Sequence, residues 1–505
     1  MGELLRKIPD LVKMFDNGEI NIPEFQREFV WSDNQVRDLA ESIYRGYPIG
    51  LLIFYKVPQE LKSRNESFWV LDGQQRLLSF VLIMEGQVKA IIGGQERTKR
   101  LDIWFDPANE RFELRKPVEG ENWVKLSEIL QIRKRAELES LLRERGFGPD
   151  EQDRISTLWR VFREDYNVPV HELPEDVDLD DLGNIFVRIN FAGTRMRGAD
   201  VYSTMIALAH QEIVRELRDF CAGLSIPIDY GILIRTFVAF LTDGKVKLAS
   251  RVFEQAKRLK DILKEREKEL TYITKEVKDR TSRSIEILRK FGVNELPAES
   301  VITVMAYYLR KHGILSPEEE EGLFKWFILA SFFRRYSASA ETRLDEDLET
   351  IRNGGNYRNL IENIKRKEGD LKERIIAYID EGGYDHLLLY ALLKQSNAKD
   401  LLSGEPITQA NSTQHHIFPK KHLAELRYAR LIDDIGNLTL LTYRSNSKLS
   451  DELPENYLQG VPLETLKAHY IPEDKELWKL KKVEEFIEER KEKLKEAVEK
   501  FLSNI

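Results

Sequence analysis

Strand patterns are scarce in a stretch of nearly 200 residues, from Val201 to Ala398, and this limits the folds that the chain can adopt. Apolar residues recur there at helical spacing, and segments such as "SVITVMAYYLRKHG" and "GLFKWFILASFFRRYS" favour buried helices. Residues 249–292 predict one or two long amphipathic helices, whose Glu and Lys residues form either a solvated face or a binding stripe. The chain is therefore expected to contain a helical middle region.

The sequences on either side of this region are mixed. Before about residue 115, short strands such as "LLIFYKV" and "FWVL" alternate with helices, one of them opened by a capping box of Ser32 and Gln35. A hairpin is expected around residues 107–109, and residues 125–180 are expected to be helical and charged. We predict an α+β fold that is mostly helical, with domains at 1–200, 201–397 and 398–505.

Composition excludes several classes of protein. With 505 residues, 42% hydrophobic and 32% charged, the chain has the balance of a globular protein. No apolar run approaches the ~18 residues of a membrane span, and "MGELLRKIPD" lacks the apolar core of a signal peptide, so a cytoplasmic location is expected. Cys221 is the only cysteine, which excludes an intramolecular disulfide framework and a cysteine-based zinc site. The phosphate-binding pattern GxxxxGK[ST] does not occur, so this is not a P-loop enzyme.

The charge distribution points to one region for contact with nucleic acid. The net charge of −8 argues against a chain that coats nucleic acid over its whole surface. Between Asn411 and Ser450, however, six basic and three acidic residues give a net charge of +3. Phosphate contacts are therefore expected in this window. The candidates are Lys420, Lys421, Arg444 and Lys448.

The decapeptide "LDGQQRLLSF" (71–80) places a carboxylate, a glycine, two amides and an arginine between two apolar runs. The run before it predicts a strand, and the run after it predicts a buried helix. The first helical turn would then offer free backbone N–H groups and a dipole that favour an anion. An ordinary Asp-Gly turn with surface residues is the competing interpretation.

A second polar cluster follows the helical region. Three of the eight histidines lie between positions 415 and 422, in "QHHIFPKKHL", and "IDDIGNLTLLTYRSNSKLSD" follows. A β-hairpin followed by a helix can place such residues around one divalent ion. His416 is the candidate base, while His415 and Asn446 are candidate metal ligands. Asn437, in the "IGNL" turn, can fasten the loop that carries the histidines.

These elements resemble the HNH (ββα-metal) endonuclease motif. The matching segments are "HHIFP", "IGNLTLLT" and "SNSK", which occur in the order of that family. Many members have Asp or Glu before the central histidine, whereas this chain has His415. Imidazole is a competent metal ligand, but it is neutral.

The chain also resembles the GmrSD-type restriction proteins, which have a ParB/sulfiredoxin-like N-terminal nucleotide domain. Three segments carry this resemblance: "IPEFQREFVW", "VLDGQQRLLSF" and "IFVRINFAGTRMRGAD". It implies that Asp72 is the acidic residue of nucleotide hydrolysis. It further implies a set of nucleotide-binding residues, namely Gln26, Arg27, Gly73, Gln74, Gln75, Arg76, Asn190, Gly193 and Thr194. Trp31 and Trp69 either stack on a base or belong to the core, and the core is favoured.

Together these patterns predict a DNA endonuclease that depends on a nucleoside triphosphate and on Mg²⁺ or Mn²⁺. The resemblance implies modification-dependent restriction, with modified double-stranded DNA as the target and phage defence as the role. A homodimer is a candidate assembly, and no membrane partner is expected. The alternative is a nucleotide-switched DNA-binding regulator whose HNH domain is weakened or only nicks DNA.

Overall fold

The computed structural model describes residues 3–23, 28–59, 65–92, 95–115, 118, 122–177, 182, 185, 198–249, 252–337 and 340–503. The chain divides into two compact units. The first comprises Met1–Ala222 and Ala249–Glu265, and the second comprises Gly223–Leu248 and Arg266–Ile505. The division into three domains that the sequence suggests stays a prediction.

A mixed five-stranded sheet lies in the first unit. Its strands are β1 (Glu3–Lys7), β2 (Ile20–Asn21), β3 (Leu52–Lys56), β4 (Phe68–Asp72) and β10 (Asn167–Leu173). Their order in the sheet is β1-β10-β3-β4-β2. β10 is antiparallel to β1 and parallel to β3, β4 is antiparallel to β3, and β2 is parallel to β4.

Two smaller sheets also lie in the described part of this unit. One is a hairpin of β5 (Gln87–Ile92) and β6 (Gln95–Arg100). The other joins β7 (Trp104–Asp106) to β8 (Arg111–Glu113) and β9 (Val124–Lys125). The hairpin expected around residues 107–109 is therefore confirmed.

The described part of the first unit also contains several helices. They are Ile8–Asp16, Asp33–Tyr44, Gln74–Glu85, Leu126–Gln131, Arg135–Glu144, Pro149–Arg160, the π-helical turn Val161–Asp165, Gly198–Ala209, Gln211–Ala222 and Val252–Glu265. The capping box is confirmed, because Ser32 Oγ accepts from Gln35 N and the Gln35 side chain accepts from Ser32 N. The Gln74–Glu85 helix is buried on nearly all sides, because its apolar residues are almost continuous.

One expectation for this unit was wrong. Residues 125–180 are not entirely helical, because Asn167–Leu173 forms β10 inside the main sheet. The buried residues Val168 and Val170 alternate with more exposed positions, as in a strand with one covered face. Pro169 and the charged flanks hid this pattern, and the pairing partner Leu4–Leu5 lies far away in sequence.

The second unit begins with a helical layer. Its helices are Tyr230–Leu241, the 3₁₀ turn Glu267–Glu269, Leu270–Lys290, Val301–His312, Pro317–Phe332, Ala340–Arg352, Tyr357–Glu368, Leu371–Asp380 and His386–Gln395. No strand occurs in the described part of 201–397, so the helical middle region is confirmed.

The remainder of the second unit holds a two-stranded sheet among short helices. β11 (Ser412–His416) pairs with β12 (Leu438–Thr442). The surrounding helices and 3₁₀ turns are Lys420–Glu425, Ala429–Ile432, Ile435–Asn437, Tyr443–Leu449, Pro454–Tyr457, Leu458–Gly460, Leu463–Ala468, Lys475–Trp478, Leu480–Lys482 and Val483–Leu502. Their core includes Ile417, Phe418 and Phe486, all fully buried.

The elements above make this a mostly helical α+β protein, which confirms the fold class predicted from the sequence at that level. Among the described residues, no helix combines the length and the apolar character needed to cross a bilayer.

Candidate functional site

A hairpin followed by a helix carries the second polar cluster. β11 and β12 run antiparallel, with His415 opposite Thr439 and His416 opposite Leu438. The Tyr443–Leu449 helix follows β12 directly, and its N-cap Thr442 accepts through Oγ1 from the backbone N–H of Ser445. The hairpin and helix expected from the sequence are confirmed, and they place Asn446 beside the end of β11.

His415 and Asn446 are in direct contact. His415 Nδ1 lies 2.7 Å from Asn446 Oδ1, and its Nε2 lies 3.4 Å from the Tyr457 hydroxyl. His415 is only 2% exposed. Burial lowers the pKa of His415 to about 4, so the ring is neutral at neutral pH and both candidate ligands are uncharged.

His416 belongs to a second polar group at the same strand end. Its Nε2 lies 2.9 Å from Asp433 Oδ1, and Lys420 Nζ lies 3.2 Å from the same oxygen. Burial lowers the pKa of His416 below its usual 6.5, although the hydrogen bond to Asp433 opposes this shift. That hydrogen bond in turn lowers the pKa of Asp433. His416 is thus neutral at neutral pH, with one ring nitrogen held by a carboxylate.

The "IGNL" turn is tied to the segment that follows the histidines. Asn437 is fully buried, and its Oδ1 accepts from Phe418 N at 2.8 Å while its Nδ2 donates to Phe418 O at 3.1 Å. The buried Arg490 guanidinium supports the same turn by donating to Ile435 O at 2.8 Å. The sequence singled out Asn437, but it gave no sign of Arg490, which lies in a helix that reads as a charged, solvated segment.

Asp400 is a further residue that the sequence did not indicate. Its Oδ2 accepts from Thr442 N at 2.8 Å, and its Oδ1 accepts from Ser445 Oγ at 2.6 Å. These donors, with others from the 402–403 turn, lower its pKa to about 2 despite burial. Asp400 therefore fastens the start of the helix that carries Asn446. It lies 42 residues before Thr442, so no local pattern could have revealed the contact.

The four candidate phosphate contacts differ in availability. All of them are exposed. Lys420 pairs with Asp433, whereas Arg444 and Lys448 lie four residues apart on the Tyr443–Leu449 helix and so share a face. Tyr443, 59% exposed, begins the same helix. This helix presents a cationic surface next to the polar cluster.

The donor atoms at His415 and Asn446 suit one divalent cation. The described residues contain no cluster of three or more His, Cys, Asp or Glu side chains that could hold a metal ion. An imidazole nitrogen and an amide oxygen can nevertheless ligate a divalent cation together with water and phosphate oxygens. Their separation of 2.7 Å is close to the spacing of adjacent ligands on such an ion. The protein would therefore supply two neutral ligands to a divalent cation at this position.

The "LDGQQRLLSF" segment forms the predicted strand, turn and helix. β4 ends at Asp72, Gly73 has φ +90°, and the Gln74–Glu85 helix follows. A Cβ at residue 73 would lie 2.2 Å from Leu52 Cδ2, so the turn requires glycine for its conformation and for space. The helix N-terminus opens next to the Asp72 carboxylate, which is 34% exposed.

Gln75 and Arg76 are held by contacts within the protein. Gln75 Oε1 accepts from Val30 N and Trp31 N at 2.9 and 3.2 Å, and its Nε2 donates to Glu28 O at 2.8 Å. Arg76 donates to Asp72 Oδ2 at 2.9 Å and to Ile49 O at 3.0 Å. Gln75 therefore positions the 28–31 segment. The guanidinium group of Arg76 faces the Asp72 carboxylate.

The other residues of the predicted nucleotide set divide into two groups. Gln74 is buried at the start of its helix. Gln26, Arg27, Asn190, Gly193 and Thr194 lie outside the described residues. Trp69 is buried and donates to Glu66 Oε1 at 2.6 Å, and Trp31 packs against the core, so the core interpretation of both tryptophans is supported.

Comparison with known proteins gives matches at both ends of the chain. The family described as "GmrSD restriction endonuclease, N-terminal domain" matches residues 8–206. The family described as "GmrSD restriction endonucleases, C-terminal domain" matches residues 366–497. The chain is also similar to "Uncharacterized protein MJ0686" of Methanocaldococcus jannaschii, with 23% identity over 95% of this chain and 90% of that protein. The hairpin cluster lies within the second match, and the Asp72 turn lies within the first.

Proposed function

Because this chain belongs to the GmrSD restriction endonuclease family, we propose that it cleaves DNA with a divalent-metal site on the β11–β12 hairpin and the Tyr443–Leu449 helix. In this proposal the hairpin and helix form an HNH (ββα-metal) nuclease domain. The observation that carries it is the convergence of His415 Nδ1 and Asn446 Oδ1 at 2.7 Å beside His416. The family description supports restriction-type cleavage of DNA.

His416 is the general base in this mechanism. Its ring is neutral at neutral pH and can take a proton from the water that attacks the phosphodiester. In this mechanism Nε2–H donates to the Asp433 carboxylate, and Nδ1 is the ring nitrogen that accepts the proton from water. As the imidazolium forms, the Asp433 carboxylate stabilises the new positive charge.

His415 and Asn446 would hold the cation, with water and phosphate oxygens completing its shell. When bound, a Mg²⁺ or Mn²⁺ ion supplies stabilisation of the negative charge that develops on the departing 3′ oxygen. Asn437 and Asp400 keep the two ligand-bearing segments in place through buried hydrogen bonds.

The phosphates of double-stranded DNA would contact exposed cations near this site. These are Lys421, Arg444 and Lys448.

The proposal also couples cleavage to nucleotide hydrolysis in the first unit. The support is the helix N-terminus at Gly73, flanked by the Asp72 carboxylate and the Arg76 guanidinium. Asp72 would position the attacking water or a metal ion, and Arg76 would neutralise phosphate charge. Under this proposal the unit has a ParB-like fold, and the target is modified DNA of invading phage.

A cleavage panel tests the main proposal. Plain and modified plasmids are incubated with the protein, with each nucleoside triphosphate in turn, and with Mg²⁺, Mn²⁺ or a chelator. Metal-dependent nicking or linearisation of at least one plasmid is expected. Nucleotide-dependent DNA binding without any cleavage would favour the alternative, a nucleotide-switched DNA-binding regulator.

Two substitutions test the nucleotide site. Asp72→Ala should abolish phosphate release while nucleotide binding persists, because loss of a carboxylate removes repulsion from the triphosphate. Arg76→Ala should weaken binding itself, because a charge-assisted contact to phosphate is lost. Calorimetry and a phosphate-release assay separate the two effects. Normal phosphate release from Asp72→Ala would mean that the segment is only a structural turn.

A further inference from the structure

The Tyr457 side chain lies directly behind the proposed metal ligand. Tyr457 ends the short Pro454–Tyr457 helix and is 8% exposed. Its hydroxyl donates to Ile417 O at 3.2 Å and lies 3.4 Å from His415 Nε2. The two rings meet edge to face, with centroids 6.0 Å apart. Its hydroxyl is thus the group that faces the nitrogen of His415 on the side away from Asn446.

The orientation of Asn446 restricts where His415 can carry its proton. Asn446 Nδ2 faces Gln414 O at 3.4 Å, which leaves Oδ1 towards His415 Nδ1. Two acceptor atoms cannot face each other at 2.7 Å unless a proton or a cation lies between them. In the metal-free protein, therefore, Nδ1 carries the proton and donates to Asn446. For Nδ1 to ligate a divalent cation, it would have to lose this proton to solvent, and the neutral ring would carry a proton taken up at Nε2 instead.

We infer that Tyr457 is a positioning residue whose hydroxyl accepts the Nε2–H of His415 and so stabilises the tautomer that binds a divalent cation. This inference rests on the proposed function of the same site. In the metal-binding tautomer the Tyr457 hydroxyl can donate to Ile417 O, which leaves a lone pair of its oxygen to accept Nε2–H. A ligating histidine commonly donates its second N–H to such a partner, which fixes its orientation and raises its basicity.

Removal of the hydroxyl should weaken metal binding. In Tyr457→Phe the ring still fills its place in the core, but a buried Nε2–H has no acceptor once the cation occupies Nδ1. The expected loss of affinity for Mn²⁺ is about 10- to 100-fold, the usual range when the hydrogen-bond partner of a ligating histidine is removed. Cleavage should fall at limiting Mn²⁺ and recover at saturating Mn²⁺.

The experiment measures Mn²⁺ binding to the full chain by calorimetry. Wild type, Tyr457→Phe, His415→Ala and the control Tyr470→Phe are compared. Tyr470 lies in the same unit, and its hydroxyl donates to Leu392 O at 2.7 Å, away from His415, so this control should bind Mn²⁺ like the wild type. Equal Mn²⁺ affinity of wild type and Tyr457→Phe would overturn the inference while the proposed function stands. If wild type and His415→Ala bind Mn²⁺ equally, the proposed metal site itself is wrong.

A second measurement needs no change at Tyr457. In ¹⁵N-histidine-labelled wild type, the NMR spectrum distinguishes Nδ1–H from Nε2–H, and His415→Gln assigns the signals of His415. We expect Nδ1–H without metal and Nε2–H with saturating Mg²⁺. An unchanged tautomer in a protein that has bound Mg²⁺ at this site would contradict the role of Tyr457.

Discussion

Among single residues, His416 is the one whose protonation would set the pH dependence of cleavage under the proposed mechanism. A histidine can act as a general base only when its ring is neutral. Because burial lowers the pKa of His416 below 6.5, kcat/KM should stay constant with falling pH until the pH is below 6.5. The hydrogen bond to Asp433 raises this pKa, and the charge of Lys420 lowers it. Asp433→Asn should therefore move the acid limb to lower pH, and Lys420→Gln should move it to higher pH. Initial cleavage rates between pH 5 and 9 measure both shifts.

Glu425→Gln is the matched control for this pH profile. Its carboxylate is exposed and lies near His422, so the variant removes one negative charge without changing the partner of His416. Its acid limb should stay in place. An upward shift of the limb in Asp433→Asn would contradict the assignment of Asp433 as the partner of the base.

Sequence patterns identified the site residues that belong to compact motifs. His415, His416, Asn437 and Asn446 lie in short, ordered segments that the fold brings into one cluster. No pattern indicated Asp400 or Tyr457, because each reaches the cluster from a separate segment with no motif of its own. Asp433 lies two residues before the "IGNL" turn, but nothing in the sequence distinguishes it from the adjacent Asp434. A buried carboxylate such as Asp400 cannot be distinguished in sequence from a surface one.

At the scale of structural elements, the turn between β4 and the Gln74–Glu85 helix depends on Gly73. Gly73→Ala forces a left-handed backbone at φ +90° and places Cβ against Leu52. The backbone conformation alone costs about 1 kcal/mol, and the overlap adds about 1–3 kcal/mol. Gly18→Ala is the control, since Gly18 has φ +73° but no atom within 4 Å of its added Cβ. Urea denaturation should show a distinctly larger loss for Gly73→Ala, and equal losses would contradict the packing at Leu52.

Asp400 gives a second prediction at this scale, for the start of the Tyr443–Leu449 helix. Its pKa falls from 3.8 to about 2 on folding, a difference worth about 2 kcal/mol at neutral pH. Because the folded pKa is the lower one, this stabilisation is present above pH 3.8 and is lost as the pH falls towards 2. Asp400→Asn should therefore lower the free energy of unfolding at pH 7 by about 2 kcal/mol, a difference that shrinks in acid.

The control for Asp400 is Asp474→Asn. Asp474 caps a short 3₁₀ turn on the surface by accepting from Glu476 N, so its substitution should have a smaller effect. Denaturation of both variants at pH 7 tests the comparison. Equal stabilities of Asp400→Asn and wild type would show that the buried contacts of Asp400 contribute nothing to the helix start.

Elements with a strong local signal were predictable, and those that depend on distant pairing were not. The capping box at Ser32 and the helical periodicity of segments such as Val301–His312 are signals of this local kind. β1 and β10 pair across more than 160 residues, at Leu4 with Val170, and neither carries a turn signal that reveals its partner. The β5–β6 hairpin was missed as well, because its charged outer residues resemble a loop.

At the scale of the whole molecule, the two proposed activities lie in different compact units. The Asp72 turn belongs to the first unit, and the hairpin with His416 belongs to the second. A substitution at one site should therefore leave the residues that carry out the chemical step at the other site unchanged. The acidic net charge of −8 would also restrict the proposed DNA contact to local cationic surfaces such as the Tyr443–Leu449 helix.

The rate of DNA cleavage by His416→Ala decides whether the β11–β12 hairpin carries the general base of a nuclease. The substrate is the plasmid that the wild type cleaves fastest in the panel, with saturating Mg²⁺ and nucleotide. We predict a rate about 10²–10⁴-fold lower than that of the wild type, because the general base is lost. Phosphate release should remain, and His422→Ala, a neighbouring histidine that contacts Glu425 and Asp451 O, should cleave normally. Cleavage by His416→Ala at the wild-type rate would show that His416 is not the general base and that the nuclease centre lies elsewhere.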